Sequence, residues 1–195
     1  EGNPGKAGEV FEKLVEKGGR PGVSVYNNMI QACAKAGRVE EAEEWMGRLR
    51  KAEGLAGPNQ YSYASLMDAY ANEGEVQKCE ALLEQIHGQN ISPSVVMYNT
   101  AMKARVKDGD FAGAEHWLNA MRGAEGLEPD AYSYYTLFFG LAKTGEQEHL
   151  EKAEALLEQM KESKVEVADN LHAALASGWA LQGDEERAAR WRQAG

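Results

Sequence analysis

The stretch at residues 24–45 reads SVYNNMIQACAKAGRVEEAEEW. Its apolar residues Tyr26, Met29, Ile30, Cys33 and Ala34 recur at the spacing of a helix with one buried face. Gly37 interrupts that stripe, and a second one follows at Val39, Ala42, Trp45, Met46 and Leu49. Glycine closes a helix C-terminus in the left-handed conformation without the penalty a side chain would add. The acidic residues behind it suit the positive end of the next helix. The stretch therefore predicts two helices joined by a tight turn.

The same compound pattern returns four times: YSYASLMDAYANEGEVQKCEAL at 61–82, VMYNTAMKARVKDGDFAGAEHW at 96–117, YSYYTLFFGLAKTGEQEHLEKAEAL at 132–156 and NLHAALASGWALQGDEERAARW at 170–191. The turn glycines Gly37, Gly74, Gly109, Gly145 and Gly183 are separated by 37, 35, 36 and 38 residues, the period of a two-helix repeat. One such unit cannot bury its apolar faces alone, whereas a stack of three or more can. The chain reads as all-α. Repeats are expected at 23–59, 60–94, 95–130, 131–168 and 169–195, the last as a terminal unit. Residues 1–22 are expected to form the second helix of a partial preceding repeat, so the chain is expected to begin inside a repeat and to derive from a longer array.

Between repeats the chain reads EGLAGPNQ, NISPSV and EGLEPDAY, where Pro58, Pro93 and Pro129 are expected to stop the second helix and set up the next turn. The fourth repeat departs from this, with Val167 and Ala168 in place of proline and a polar residue. It also carries three extra residues after Gly145.

Tyr-Asn near the start of helix one, Lys-Ala-Gly-Arg at the turn, Glu-Glu-Ala in helix two and Pro followed by Asn or Asp at the end together resemble the pentatricopeptide repeat. The resemblance runs from about residue 1 to 192. Tetratricopeptide repeats have a similar period, but their Trp-Leu-Gly-Tyr signature is missing. The resemblance implies a right-handed α-solenoid whose first helices line a concave face. That face would bind single-stranded RNA in a mitochondrion or chloroplast, one base being read per repeat by two or three side chains.

In that family the reading pair is the residue after the aligned tyrosine and the last residue before the next repeat. The first repeat then supplies Asn27 with Asn59, whose amides suit a pyrimidine edge. The third supplies Asn99 with Asp130, the family's usual uracil pair. Ala64 with Ser94 and Tyr135 with Ala168 are degenerate code positions, and Ala173 has no successor. The lysine that approaches a phosphate two residues before the turn glycine is present as Lys35, Lys107 and Lys143, and is replaced by Asn72 and Leu181. The base-flanking positions, usually aliphatic, hold Ser24, Tyr61, Val96, Tyr132 and Asn170. The tyrosines there suit either stacking on bases or packing between helices.

Charge bears on this reading. The chain carries a formal charge of -10 and a pI near 5.0, which repels a polyanion. The asymmetry softens the objection: the five first helices sum to +2, whereas the second helices sum to -8. Three aligned lysines predict weak phosphate binding. A second reading follows from the degenerate pairs and the acidic outer surface: a scaffold docked to protein subunits of a larger organellar assembly.

Catalysis and cofactors are not expected. His87, His116, His149 and His172 are scattered, with no HExxH motif, no Ser/His/Asp cluster and no phosphate-cradling glycine loop. His116 and His149 read as exposed helix residues. Cys33 and Cys79 stand 46 residues apart without metal-ligand spacing, so both read as core thiols and no metal site is expected. No apolar run is long enough to span a membrane, and no small-molecule substrate is indicated. Trp45 and Trp117 read as core. Trp179 and Trp191 are expected in the terminal repeat, where apolar surface can face a partner.

Overall fold

The computed structural model describes residues 4–89 and 91–194. Among them the chain forms eleven α-helices, and no strand. Residues 1–22 hold α1 (Pro4–Glu16). The following spans hold α2 (Val23–Lys35) with α3 (Val39–Lys51), α4 (Gln60–Glu73) with α5 (Val76–His87), α6 (Val95–Asp108) with α7 (Phe111–Gly123), α8 (Ala131–Thr144) with α9 (Gln147–Glu162), and α10 (Asp169–Gln182) with α11 (Glu185–Ala194). Contacts group the described residues into two compact units, the first up to Ala104 and the second from Arg105.

The turns form as the glycine spacing predicts. All five turn glycines have positive φ, from 69° at Gly37 and Gly145 to 82° at Gly183. After two of them an aspartate caps the next helix: Asp110 accepts from Gly113 N–H at 2.8 Å and Asp184 from Arg187 N–H at 3.0 Å. The prolines act differently from expectation. Helices α3, α5 and α7 end at Lys51, His87 and Gly123, well before Pro58, Pro93 and Pro129. Ala52 and Ala124 turn the backbone extended there, with ψ of 114° and 133°. Each proline instead directly precedes the residue that opens the next first helix. The three extra residues after Gly145 lengthen α9, which runs 16 residues where α3 and α7 run 13.

In the first unit, Phe11 of α1 inserts edge-on against Tyr26 and Trp45, with ring centroids 5.2 and 4.7 Å away. Arg48 closes this cluster, its guanidinium 4.1 Å from the Trp45 ring centroid and 3.1 Å from Glu12. All ten apolar positions read from residues 24–49 are buried. The second unit is packed around Trp117, Leu137, Phe138, Leu157 and Trp179. Trp179 and Trp191 are only 2% and 7% exposed, contrary to the expected exposed apolar surface. Each indole N–H finds the same acceptor, Glu154 Oε1, at 2.8 and 2.7 Å, and that shared acceptor allows both rings to be buried.

One inter-repeat contact recurs in each unit. Tyr70, four residues before Gly74, donates its hydroxyl to Glu43 Oε1 at 2.7 Å, and Lys78 lies 5.3 Å from the Tyr70 ring. Trp179, four residues before Gly183, donates to Glu154, and Arg187 lies 4.3 Å from its ring. An acid, an aromatic donor and a cation from three successive helices thus hold neighbouring repeats in register. His149 is half-buried, correcting its expected exposure: its ring packs 4.8 Å from Phe111, and Nδ1 lies 3.0 Å from the Thr144 hydroxyl. His116 is exposed.

Candidate nucleic-acid interface

The first-helix surface of the first unit carries a polar pocket between α2 and α4. It encloses about 280 Å³ and is lined by Ser24, Asn27, Asn28, Gln31, Tyr61 and Ser65. Ser24, Asn27, Asn28 and Gln31 are successive positions on one face of α2, while Tyr61 and Ser65 are one turn apart on α4. The arrangement joins a planar ring to carboxamides at the distance of one helix-to-helix step.

Asn27 and Asn59, the pair expected from the resemblance to read a base, are bonded to each other. Asn27 Nδ2 donates to Asn59 Oδ1 at 3.1 Å. Asn59 is the N-cap of α4, where the same oxygen accepts from Tyr61 N–H at 3.1 Å and Ser62 N–H at 3.2 Å. The buried Ser62 hydroxyl accepts from Asn59 N–H at 3.0 Å and donates to Asn27 Oδ1 at 2.5 Å. Both carboxamide oxygens are therefore occupied, and the hydrogens left over are one on Asn27 and two on Asn59. Asn27, Asn59 and the helix cap form one network.

Sequence reasoning identified Asn27 and Asn59 but missed Ser62, which ties them together, and Asn28, Gln31 and Ser65, which share the pocket. The signal for Ser62 was present: Asn-Gln-Tyr-Ser at 59–62 and Asp-Ala-Tyr-Ser at 130–133 are both capping boxes. In the second of these, Asp130 accepts from Ser133 N–H at 2.8 Å and from its hydroxyl at 2.9 Å. Asp130 therefore caps α8. Asn99 lies in α6 and is only 5% exposed, so little of its amide edge faces solvent.

The degenerate positions differ among themselves. Ala64 is half-buried in α4, and Ser94 opens α6 through its carbonyl, which accepts from Met97 N–H at 3.0 Å. Tyr135 spends its hydroxyl on the Glu166 carbonyl at 3.0 Å, and Ala168 caps α10 with no side-chain bond. No polar edge is offered at that pair. Lys35, Lys107 and Lys143 are all exposed. Where Asn72 replaces the lysine, Lys103 of α6 reaches its Oδ1 at 3.4 Å, so a cation arrives from the neighbouring helix.

The positions that the resemblance aligns beside a base face solvent. Tyr61, Val96 and Tyr132 are 72%, 63% and 55% exposed, so none packs between helices. Ser24 and Asn170 are exposed as well. Buried phenol and thiol groups lie elsewhere: burial pushes the Tyr98 hydroxyl above its usual range, and it sits 2.9 Å from His87 Nε2. No His/Cys/Asp/Glu group able to hold a metal occurs among the described residues, and none of their helices is long and apolar enough to cross a membrane.

Comparison with known proteins places these features in a family. Three family models match: a PPR repeat at residues 24–53, a pentatricopeptide repeat domain at 56–108 and the PPR repeat family at 93–143. A chloroplastic pentatricopeptide repeat-containing protein of Arabidopsis thaliana is 26% identical over 76% of the chain, which spans 29% of that relative. The crystal structure of the maize pentatricopeptide repeat protein PPR10 superposes with a TM-score of 0.80 at 27% identity, over 94% of this chain and 25% of that one. The structure of PPR10 in complex with an 18-nt psaJ RNA element superposes with a TM-score of 0.74 at 27% identity, over 93% of this chain and 26% of that one. The chain thus spans under a third of these proteins. With its glycine-closed helix pairs and the three matching models, the chain belongs to the pentatricopeptide repeat family.

Proposed function

We propose that this chain is a module that binds single-stranded RNA along its first helices, weakly and with a preference for pyrimidines, in a chloroplast or mitochondrion. The observation that carries the reading is the pocket between α2 and α4, where Tyr61 stands beside the Asn27 carboxamide. A base entering it stacks on the phenol ring and turns its edge toward the amides. The leftover amide hydrogens of Asn27 and Asn59 complement acceptors, which a pyrimidine presents as O2 together with O4 or N3. Asp130, the cap of α8, and Asn99 of α6 are proposed as base-reading residues, Asn99 only through the small part of its amide that faces solvent. Lys35 and Lys107 are proposed as phosphate contacts. The binding of PPR10 to an RNA element supports assigning this ligand class to a chain of similar fold.

The excess of positive charge on the first helices is small, so binding is salt-sensitive and modest. For single strands the logarithm of the affinity falls by roughly 0.7 per phosphate neutralised for each tenfold rise in salt. The test is fluorescence anisotropy with labelled oligonucleotides. A salt-sensitive complex with oligopyrimidine RNA, weaker with oligopurine RNA and weakened by Asn27→Ala, is expected. Absence of any complex at micromolar protein in low salt refutes the reading.

A further inference from the structure

The first-helix surface of the second unit has a different chemistry from the polar pocket of the first. Between α8 and α10 lies an open groove of about 370 Å³ walled by Phe139, Ala142, Ala174, Gly178 and Leu181, with Lys143 on its rim. Gly178 forms its floor: a Cβ there would displace the end of the Leu150 side chain and crowd the Ala142 carbonyl, so the glycine favours the close approach of α10. Leu181 is 79% exposed and occupies the register position that holds lysine in three other repeats. Phe139 is 38% exposed on the facing helix.

The polar groups near the groove are already engaged. Ser177 donates its hydroxyl to the Ala173 carbonyl at 2.9 Å, and Tyr135 donates to Glu166. Ala168 and Ala173 bring none. A nucleobase finds no hydrogen-bonding edge here, and a phosphate chain finds an exposed leucine where the second lysine belongs. What remains is an apolar trough with one exposed ammonium, Lys143, which makes no ion pair among the described residues.

We infer that this groove docks an amphipathic helical segment of a protein partner, seating a bulky apolar side chain between Phe139 and Leu181 and placing a carboxylate at Lys143. Charge complementarity selects this occupant: the one unpaired cation beside an apolar wall matches a helix with an apolar stripe flanked by an acid. The site is separate from the RNA pocket and does not depend on it. The chain then carries two binding chemistries, a polar one on its first unit and an apolar one on its second.

The test is selection of a phage-displayed library of random peptides against the whole chain, followed by affinity measurement on the enriched sequences. Enriched peptides are expected to carry two bulky apolar residues three or four apart and an Asp or Glu within a turn. Leu181→Asp is expected to weaken them on the order of tenfold or more, the loss typical of a central apolar anchor. Lys143→Glu is expected to shift selection toward peptides with Lys or Arg. Both side chains are exposed, so the variants keep the fold. Failure to enrich any such motif, binding indifferent to Leu181→Asp, or no change of charge preference with Lys143→Glu overturns the proposal. So does photo-crosslinking of oligopyrimidine RNA to Phe139 or Leu181.

Discussion

The Asn27 carboxamide donates to the Asn59 carboxamide across 3.1 Å, joining the second turn of one first helix to the cap of the next. Two residues that the family pattern assigns to base reading are thus also structural. Asn59→Ala removes the cap of α4 and is expected to cost about 1 kcal/mol, visible as a lower urea midpoint. Asn59→Asp keeps the capping oxygen and loses the amide donors. It is expected to hold the midpoint while changing base preference in anisotropy titrations. An equal loss of stability in both variants contradicts this division of roles.

Tyr61 is expected to contribute to affinity and not to folding, because most of its ring faces solvent. Tyr61→Ala is expected to weaken pyrimidine RNA binding roughly 5- to 150-fold, the equivalent of about 1–3 kcal/mol for a lost base stack. The thermal midpoint is expected to stay unchanged. Tyr61→Phe, which retains the ring, is expected to bind as the parent chain does.

Glu154 holds two indole donors at once. Glu154→Ala leaves both without an acceptor, at a cost of roughly 1–3 kcal/mol for each donor left unsatisfied. Glu154→Gln retains an acceptor oxygen and is expected to recover much of that loss. Denaturant unfolding followed by tryptophan fluorescence separates the two variants directly.

The turn and the helix interior make opposite demands on glycine. At Gly74, φ is 81° and an added Cβ meets nothing within 4 Å, so Gly74→Ala carries conformational strain alone. A loss of about 1 kcal/mol is expected. Gly47 lies inside α3, with equally open surroundings and no positive φ. Gly47→Ala is expected to raise stability by about 0.5–1 kcal/mol. Thermal melts of the two variants should move in opposite directions.

Burial raises the thiols of Cys33 and Cys79 above the usual value of 9.0, Cys79 to about 12. The unfolded chain ionises the Cys79 thiol near 9.0 whereas the folded chain resists until about 12. The stability tied to this group is complete below about pH 9 and is lost as the pH rises toward 12. Chemical denaturation between those values is expected to show falling stability, less steeply in Cys79→Ala. Neither thiol is expected to react with a disulfide reagent at pH 8 until the chain is unfolded.

The periodicity of the sequence determined the helix pairs, their turns and the buried stripes, because helix formation and glycine-closed turns depend on residues near one another in the chain. Tyr26, Met29, Ile30, Cys33 and Ala34 were identifiable as core from spacing alone. Helix ends were less legible: Pro58 marked the start of α4 and not the end of α3, since the stop is made by the extended backbone at Ala52. The candidate site was legible only in part. Asn27 and Asn59 followed from register, but their bond to each other depends on the stacking of α2 against α4, residues 32 apart in the chain. Tertiary packing likewise buried Trp179 and Trp191 on one carboxylate, left Tyr61 in solvent and opened the apolar groove beside Lys143. Those outcomes turn on which faces of neighbouring helices meet. Local spacing states that a residue lies on a face, and only the packed helices decide whether that face is covered.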